Sequence, residues 1–126
     1  LFLCNSFFSM SEIQDLLARL RTFRDERDWG QFHDPKNLAL ALSIEAAELN
    51  ELFLWKKESD LSQVDEGKLK DELADVFAYG IMLAGHYGFD IPEIVKNKIE
   101  KNAAKYPVDL ARGSASKYDD LKKEIP

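Results

Sequence analysis

The feature of the sequence that most constrains the fold is a pair of acidic motifs set inside apolar, helix-like stretches. The first stretch, ALSIEAAELNELFLW, runs from Ala41 to Trp55 and carries Glu45 and Glu48 three residues apart. Steps of three and four residues keep side chains on one face of a helix, so both glutamates share a face with Leu38, Ala41 and Trp55. Because carboxylates are rarely buried without a partner, this pattern predicts a functional face.

The second stretch, KLKDELADVFAYGIML, repeats the arrangement with Glu72 and Asp75, and its face continues through Tyr79 and His86. If the two helices pair, four carboxylates converge and repel one another unless a cation lies among them. Oxygen ligands suit Mg²⁺, or Mn²⁺, better than they suit zinc. The predicted metal ligands are Glu45, Glu48, Glu72 and Asp75. The other interpretation is that these are exposed charges on ordinary helices.

The periodicity of apolar residues predicts four helices, at about 11–28, 35–58, 66–87 and 90–106, and no segment shows the alternation of a strand. Asp34 followed by Pro35 is a strong helix start, while Gly88 and Pro107 mark helix ends. The second helix is apolar around most of its circumference, so we expect it to be central and buried. The fold class predicted is all-α, a four-helix bundle-like domain over residues 10–107, followed by a polar C-terminal tail at 108–126.

The composition narrows the function classes. With 126 residues the chain fits one domain, and its net charge of −6 disfavours binding to a nucleic-acid polymer. The single cysteine, Cys4, favours a reducing, cytoplasmic location, and no segment is long enough to span a membrane. We interpret residues 1–9 as a leader or an expression-derived segment and expect them to be disordered.

The fourth predicted helix has a locally basic face. Lys98, Asn102 and either Lys105 or Tyr106 recur at steps of three and four residues. Ammonium, amide and phenol groups on one face can donate hydrogen bonds to phosphate oxygens. A solvated amphipathic helix is the other interpretation of the same spacing.

Aromatic residues flank the second helix, with Trp29, Phe32 and His33 before it and Trp55 near its predicted end. Such rings can stack on a nucleobase, although packing against the core explains any one of them equally well. The sequence contains no phosphate-binding loop of the form G-x-x-x-x-G-K-[ST]. Phosphate groups would therefore be held by a metal and by side chains.

The segments IEAAEL, KDELADVFAY and KIEKNAAKYP, in this order, resemble the all-α nucleoside triphosphate pyrophosphohydrolases of the MazG type. The flanks RDERDWGQFHDPKNLALAL, ELFLWK and YPVDLARGSASKY are most similar to the small dCTP pyrophosphatase branch, and the resemblance covers about residues 12–118. It implies Mg²⁺-dependent cleavage of a dNTP, dCTP or a modified dCTP, between the α- and β-phosphates. The products are a dNMP and pyrophosphate, and the role is house-cleaning of the nucleotide pool.

The resemblance also implies residue roles and an assembly. Subunits of the family form a homodimer or a homotetramer that is a dimer of dimers, with sites between helices of more than one chain. One departure is Ile44, which stands where the broad family has another acidic residue. The dCTP-type branch also lacks this acidic residue. The implied catalytic metal ligands are Glu45, Glu48, Glu72 and Asp75; the implied phosphate contacts are Lys98, Asn102 and Tyr106; the implied base pocket is formed by Trp29, Trp55, His33 and Tyr79.

Two alternatives belong to other classes. A non-catalytic nucleotide-binding or regulatory MazG-like protein would use the same helical face to bind nucleotide without turnover. A di-metal oxidoreductase bundle is disfavoured, because such proteins place His three residues after Glu and neither acidic helix does so.

Overall fold

The structure, a computed structural model, describes residues 10–124, and every regular element in that range is helical. The segment 1–9, which we expected to be a disordered leader, lies outside the described residues. The longer helices are α1 (Glu12–Glu26), α2 (Pro35–Glu51), α3 (Glu66–Tyr87) and α4 (Ile91–Lys105). Two four-residue helices follow, α5 (Val108–Ala111) and α6 (Tyr118–Leu121), and short 3₁₀ helices span Gly30–Phe32, Glu58–Gln63 and Lys122–Glu124. The prediction of an all-α chain is confirmed.

Side-chain caps explain where the helices begin. Asp34 accepts a hydrogen bond from the backbone N–H of Asn37 at 2.8 Å, which satisfies one of the free donors at the start of α2. Asp65 caps α3 and Asp90 caps α4 in the same way, each through an N–H three residues on at 2.9 Å. At the other end of α3, Gly88 has φ 68°, the left-handed conformation that glycine adopts without a Cβ penalty.

The predicted end of α2 is wrong, because the helix stops at Glu51 and does not continue to 58. The next three residues make i to i−3 hydrogen bonds, from Leu52, Phe53 and Leu54 back to the carbonyls of residues 49–51. Trp55 then has φ 62°, which no helix can contain. Trp55 therefore does not extend the helical face that carries Glu45.

Helices α1, α2 and α3 belong to one compact unit that ends at Phe89. Within it α3 packs along α2 and also contacts α1. The buried apolar side chains are Leu38 of α2, 3% exposed, and Ala84 of α3, 8% exposed. We expected α2 to be the central, buried helix, but Leu40 is 56% and Ile44 is 48% exposed in the single chain, so α2 is not fully buried in one chain on its own.

The second unit begins at Asp90 and contains α4, α5 and α6. The segment that we expected to be a polar tail contains two short helices. Tyr106 and Tyr118 pack edge to face with ring centroids 6.2 Å apart, and Leu121 is only 2% exposed. The helices α5 and α6 therefore belong to folded structure. Across residues 10–124, no helix combines the length and the apolar character needed to cross a membrane.

Candidate functional site

The acidic pairs of α2 and α3 meet in the structure. Glu45, Glu72 and Asp75 each offer a carboxylate oxygen, and these oxygens lie within 4.8 Å of one another. Glu45 and Glu72 are half-buried, while Asp75 is exposed. The meeting follows from the fold, because α2 packs along α3 and the i, i+3 spacing places Glu72 and Asp75 on one face of α3. We call Glu45, Glu72 and Asp75, together with their neighbour Glu48, the carboxylate cluster.

Two carboxyl groups of the cluster have pKa values raised by partial burial and by the proximity of like charges. Partial burial raises the pKa of Glu45 from 4.5 to about 6, and a hydrogen bond with Glu48 and repulsion from the other carboxylates add to the rise. Burial also raises the pKa of Glu72, with repulsion from Glu48 as the next cause. Glu48 itself is exposed, and its contacts with Glu45 and Glu72 tie it to the cluster.

The donor set fits a divalent cation. In residues 10–124, none of the ion pairs between side chains involves a member of the carboxylate cluster. Within this range, the carboxylates therefore form no ion pair that would offset their mutual repulsion. A hard divalent ion with oxygen ligands would relieve this repulsion and lower the raised pKa values.

An open pocket with about 430 Å³ of empty space adjoins the cluster, and Asp75 lies in its wall. Three of the four residues predicted to bind a base, Trp29, His33 and Tyr79, line the same pocket. The rings are held by neighbours: Trp29 packs edge to face on Phe23 with centroids 5.8 Å apart, and His33 lies 6.4 Å from Tyr79. A cavity with several aromatic rings in its wall thus opens beside the acidic groups.

Sequence reasoning missed a further part of the pocket wall. Helix α1 contributes Leu20, Phe23 and Arg24, and α3 adds Ala78 and Met82. The apolar residues among them belong to helical stripes and carry the same signal as core residues. Arg24 carries no distinguishing signal, because charges are common on the face of any solvated helix.

His33 occupies an unusual position in this wall. Its Nδ1 atom is buried and has no hydrogen-bond partner among the described residues, 10–124. Burial lowers the pKa of the His33 imidazole, and the positive charge of Arg24 lowers it further. The ring is therefore neutral near pH 7, and Nδ1 is free to exchange a hydrogen bond with a ligand.

The other predicted site residues are Trp55 in the first unit and three residues of the second unit. Trp55 is 91% exposed and does not line the pocket in its own chain. Lys98 and Asn102 are exposed on α4, and half-buried Tyr106 caps that helix, so these three belong to the second unit. Their phosphate-binding role and the base-binding role of Trp55 stay predictions.

The comparisons of this chain with known families, sequences and structures agree with one another. The sequence model of the MazG-like family matches residues 40–121, a range that contains the whole carboxylate cluster. The dCTP pyrophosphatase 1 of Bos taurus is 42% identical over 121 residues, which cover 92% of this chain and 72% of the relative. That of Homo sapiens is 40% identical over 121 residues, covering 92% and 71%. The crystal structure of a pyrophosphatase from Archaeoglobus fulgidus matches with a TM-score of 0.72 and 42% identity, over 79% of this chain and 95% of that chain.

Proposed function

The chain belongs to the MazG-like family, and from this premise we propose that it is a Mg²⁺-dependent enzyme that cleaves a deoxynucleoside triphosphate between the α- and β-phosphates. The products are a deoxynucleoside monophosphate and pyrophosphate. As its relatives are pyrophosphatases, the chain is a nucleoside triphosphate pyrophosphohydrolase. The observation that supports the metal dependence is the convergence of three carboxylate oxygens within 4.8 Å, none of them in an ion pair with a side chain of residues 10–124.

The carboxylate cluster would hold the metal through Glu45, Glu48, Glu72 and Asp75. When bound, Mg²⁺ neutralises charge on the triphosphate and acidifies a bound water, and Mn²⁺ suits the same ligands. A carboxylate of the cluster that is not engaged with the ion accepts the proton of the attacking water. In the metal-free chain, the raised pKa of Glu45 makes this carboxylate a stronger proton acceptor than one in water.

The pocket beside the cluster is proposed to hold the nucleobase. Trp29 and Tyr79 offer ring faces and edges, and the neutral His33 offers a hydrogen-bonding nitrogen. Since the relatives from Bos taurus and Homo sapiens are dCTP pyrophosphatases, dCTP or a modified dCTP is the proposed substrate. Lys98, Asn102 and Tyr106 are the proposed phosphate contacts, through donors that suit phosphate oxygens.

We further propose that the chain works as a homodimer or homotetramer. Large apolar side chains remain exposed in pairs one helical turn apart: Leu40 (56%) with Ile44 (48%) on α2, and Leu73 (40%) with Phe77 (62%) on α3. Contiguous exposed apolar surface on a helix is typical of a protein interface. Light scattering should show that the wild type is a dimer or tetramer. Phe77→Lys should shift the equilibrium towards the monomer, whereas Leu16→Lys on α1 should leave the assembly intact. A monomeric wild type would contradict the proposal.

The test of the proposed function is product identification. The full chain is incubated with Mg²⁺ and a panel of canonical and modified dNTPs, and the products are separated by ion-exchange chromatography. We expect equimolar dNMP and pyrophosphate, fastest from a cytosine nucleotide. Glu48→Gln and Asp75→Asn should abolish the reaction, and Glu51→Gln, an exposed charge one turn beyond Glu48, should not.

Three outcomes would count against the proposal. Release of inorganic phosphate in place of pyrophosphate would show that the enzyme cleaves a bond other than the one between the α- and β-phosphates. Activity that survives either cluster substitution with unchanged Mg²⁺ dependence would remove the cluster from the mechanism. Nucleotide binding without turnover by wild type would favour a regulatory protein.

A further inference from the structure

A second, smaller cavity adjoins the nucleobase pocket, and Arg24, His33 and Met82 line both. Its empty space of about 300 Å³ includes the solvent at its open mouth. Its other lining residues are Leu17, Arg21, Leu38 and His86. Two arginines and both of the chain's histidines therefore surround one small space, and no carboxylate lines it. The proposed function makes no use of this cavity.

The two guanidinium groups retain free donors. Arg21 donates from Nη2 to the carbonyl of Gly85 at 3.2 Å, and Arg24 donates from Nε to Asp25 at 2.7 Å. A guanidinium carries five N–H donors, and residues 10–124 supply no further hydrogen bond to either arginine. Most of their N–H groups therefore have no protein acceptor among residues 10–124.

The charges around the cavity favour an anion. Asp25 is the carboxylate beside these arginines, and it offsets one of their two positive charges. A hydrogen bond from Arg24, followed by Coulomb attraction from Arg24 and Arg21, holds the pKa of Asp25 below its ordinary value. The remaining charge is positive, so a cation would be repelled and an anion attracted.

The unpartnered Nδ1 of His33 is an independent sign that something polar belongs in this wall. A buried polar atom without a partner destabilises the fold, and such atoms are rare in folded proteins. In the tautomer that carries the proton on Nδ1, the atom would donate a hydrogen bond to a nearby oxyanion.

We propose that this cavity is a binding site for a small oxyanion of the sulfate or inorganic phosphate class, held by Arg21 and Arg24 with His33 and His86 beside it. Planar guanidinium forks match the spacing of oxygens on such an ion. The site is distinct from the carboxylate cluster, since no member of the cluster lines it. Because His33 and Arg24 also line the nucleobase pocket, an ion here would lie next to the bound base.

The chain's two histidines make a direct test possible, because the imidazole region of a ¹H–¹⁵N spectrum holds only their signals. Sulfate is titrated into the full chain at about pH 8, well above the ordinary imidazole pKa of about 6.5. No divalent metal or nucleotide is present. We expect saturating shifts of both histidine signals. Sodium chloride of equal ionic strength should not reproduce them.

Matched variants assign the site. Arg21→Gln and Arg24→Gln should each weaken sulfate binding about tenfold or more, a loss in keeping with charge-assisted hydrogen bonds. Arg19→Gln removes an arginine on the same helix whose side chain is 76% exposed and paired with Asp15, and it should bind as wild type does. Far-ultraviolet circular dichroism checks the fold of each variant. Arg21→Lys, which keeps the charge and loses the fork, should lie between wild type and Arg21→Gln.

The results separate this site from the proposed enzyme site. Glu48→Gln should retain sulfate binding even where it abolishes nucleotide hydrolysis. The proposal is overturned if the shifts fail to saturate or if chloride reproduces them. It is equally overturned if both Arg21→Gln and Arg24→Gln bind as wild type does, or if Arg19→Gln loses as much affinity as they do.

Discussion

A carboxylate oxygen of Glu45 on α2 lies within 4.8 Å of one on Asp75 of α3. Neither residue forms an ion pair with a cation in the part of the chain that the structure describes. The fold thus brings like charges together at a half-buried position, an arrangement that costs free energy in the absence of a counter-ion. Such an arrangement favours protons or a metal, and the two compete for the same oxygens.

The first prediction concerns the pH dependence of stability without metal. The folded-state pKa of Glu45 is about 6, above its ordinary value of 4.5, so the folded chain binds this proton more tightly than the unfolded chain does. The stability that Glu45 contributes is therefore fully present below about pH 4.5 and is lost as the pH rises through about 6. Urea unfolding in the presence of a chelator, repeated across this range, measures the loss.

The matched control is Glu45→Gln, which cannot titrate. The difference in unfolding free energy between wild type and this variant should change over the same pH range and level off on both sides. Subtraction of the variant removes the contributions of the titrating groups that do not interact with Glu45, including Asp25. A difference independent of pH would show that Glu45 titrates at its ordinary value.

A second prediction is that one substitution acts in opposite directions with and without metal. Asp75→Asn removes a repelling charge, so it should stabilise the metal-free chain by up to about 1 kcal/mol. In wild type, Mg²⁺ at about 100 times its Kd should stabilise the fold by about 2.7 kcal/mol, and Asp75→Asn should lose most of this gain. Thermal unfolding with and without Mg²⁺ measures both effects, with Glu51→Gln as the control. Equal Mg²⁺ stabilisation of all three chains would place the ion elsewhere.

Local signals made much of the fold predictable. The bounds of α3 are those expected, because a capping Asp65 and a left-handed Gly88 fix its ends through interactions with residues a few positions away. The starts of α2 and α4 follow from Asp34 and Asp90 for the same reason. The convergence of the acidic pairs was also predictable, because two faces of fixed helical spacing must meet once α2 packs along α3.

Other features depend on contacts that the sequence does not display. The apolar spacing from Leu49 to Trp55 favours a longer helix, and the chain instead turns after Glu51 through 3₁₀-type bonds and the positive φ of Trp55. The place of Arg24 in the pocket wall depends on how α1 packs against α3. That packing is long-range, and no local periodicity encodes it.

The third prediction tests this packing of α1 on α3 through two glycines of α3. A Cβ at Gly85 would lie 2.7 Å from a methyl carbon of Leu17, whereas a Cβ at Gly80 would lie 3.7 Å from one of Leu42, an ordinary contact. Gly85→Ala should therefore destabilise the chain, by about 1–3 kcal/mol, because either the Leu17 side chain must leave its packed position or the helices must separate. Gly80→Ala should stabilise it by up to about 1 kcal/mol, since alanine favours a helix. Urea unfolding measures whether each substitution raises or lowers the free energy of unfolding. A rise in both variants would mean that α1 and α3 are packed less closely than the structure shows.

The fourth prediction concerns the turn that ends α2. Trp55 has φ 62°, a conformation that costs a residue with a side chain about 1–2 kcal/mol and costs glycine little. Trp55→Gly should therefore be more stable than Trp55→Ala by about 1 kcal/mol. Leu54 supplies the control: its φ is not positive, so Leu54→Gly should be less stable than Leu54→Ala by about 0.5–1 kcal/mol. Comparison within each pair cancels the loss of the native side chain, because alanine and glycine both remove it. If glycine is the more stable variant at Trp55 and alanine at Leu54, the positive φ of Trp55 is part of the turn. The same preference at both positions would contradict this backbone conformation.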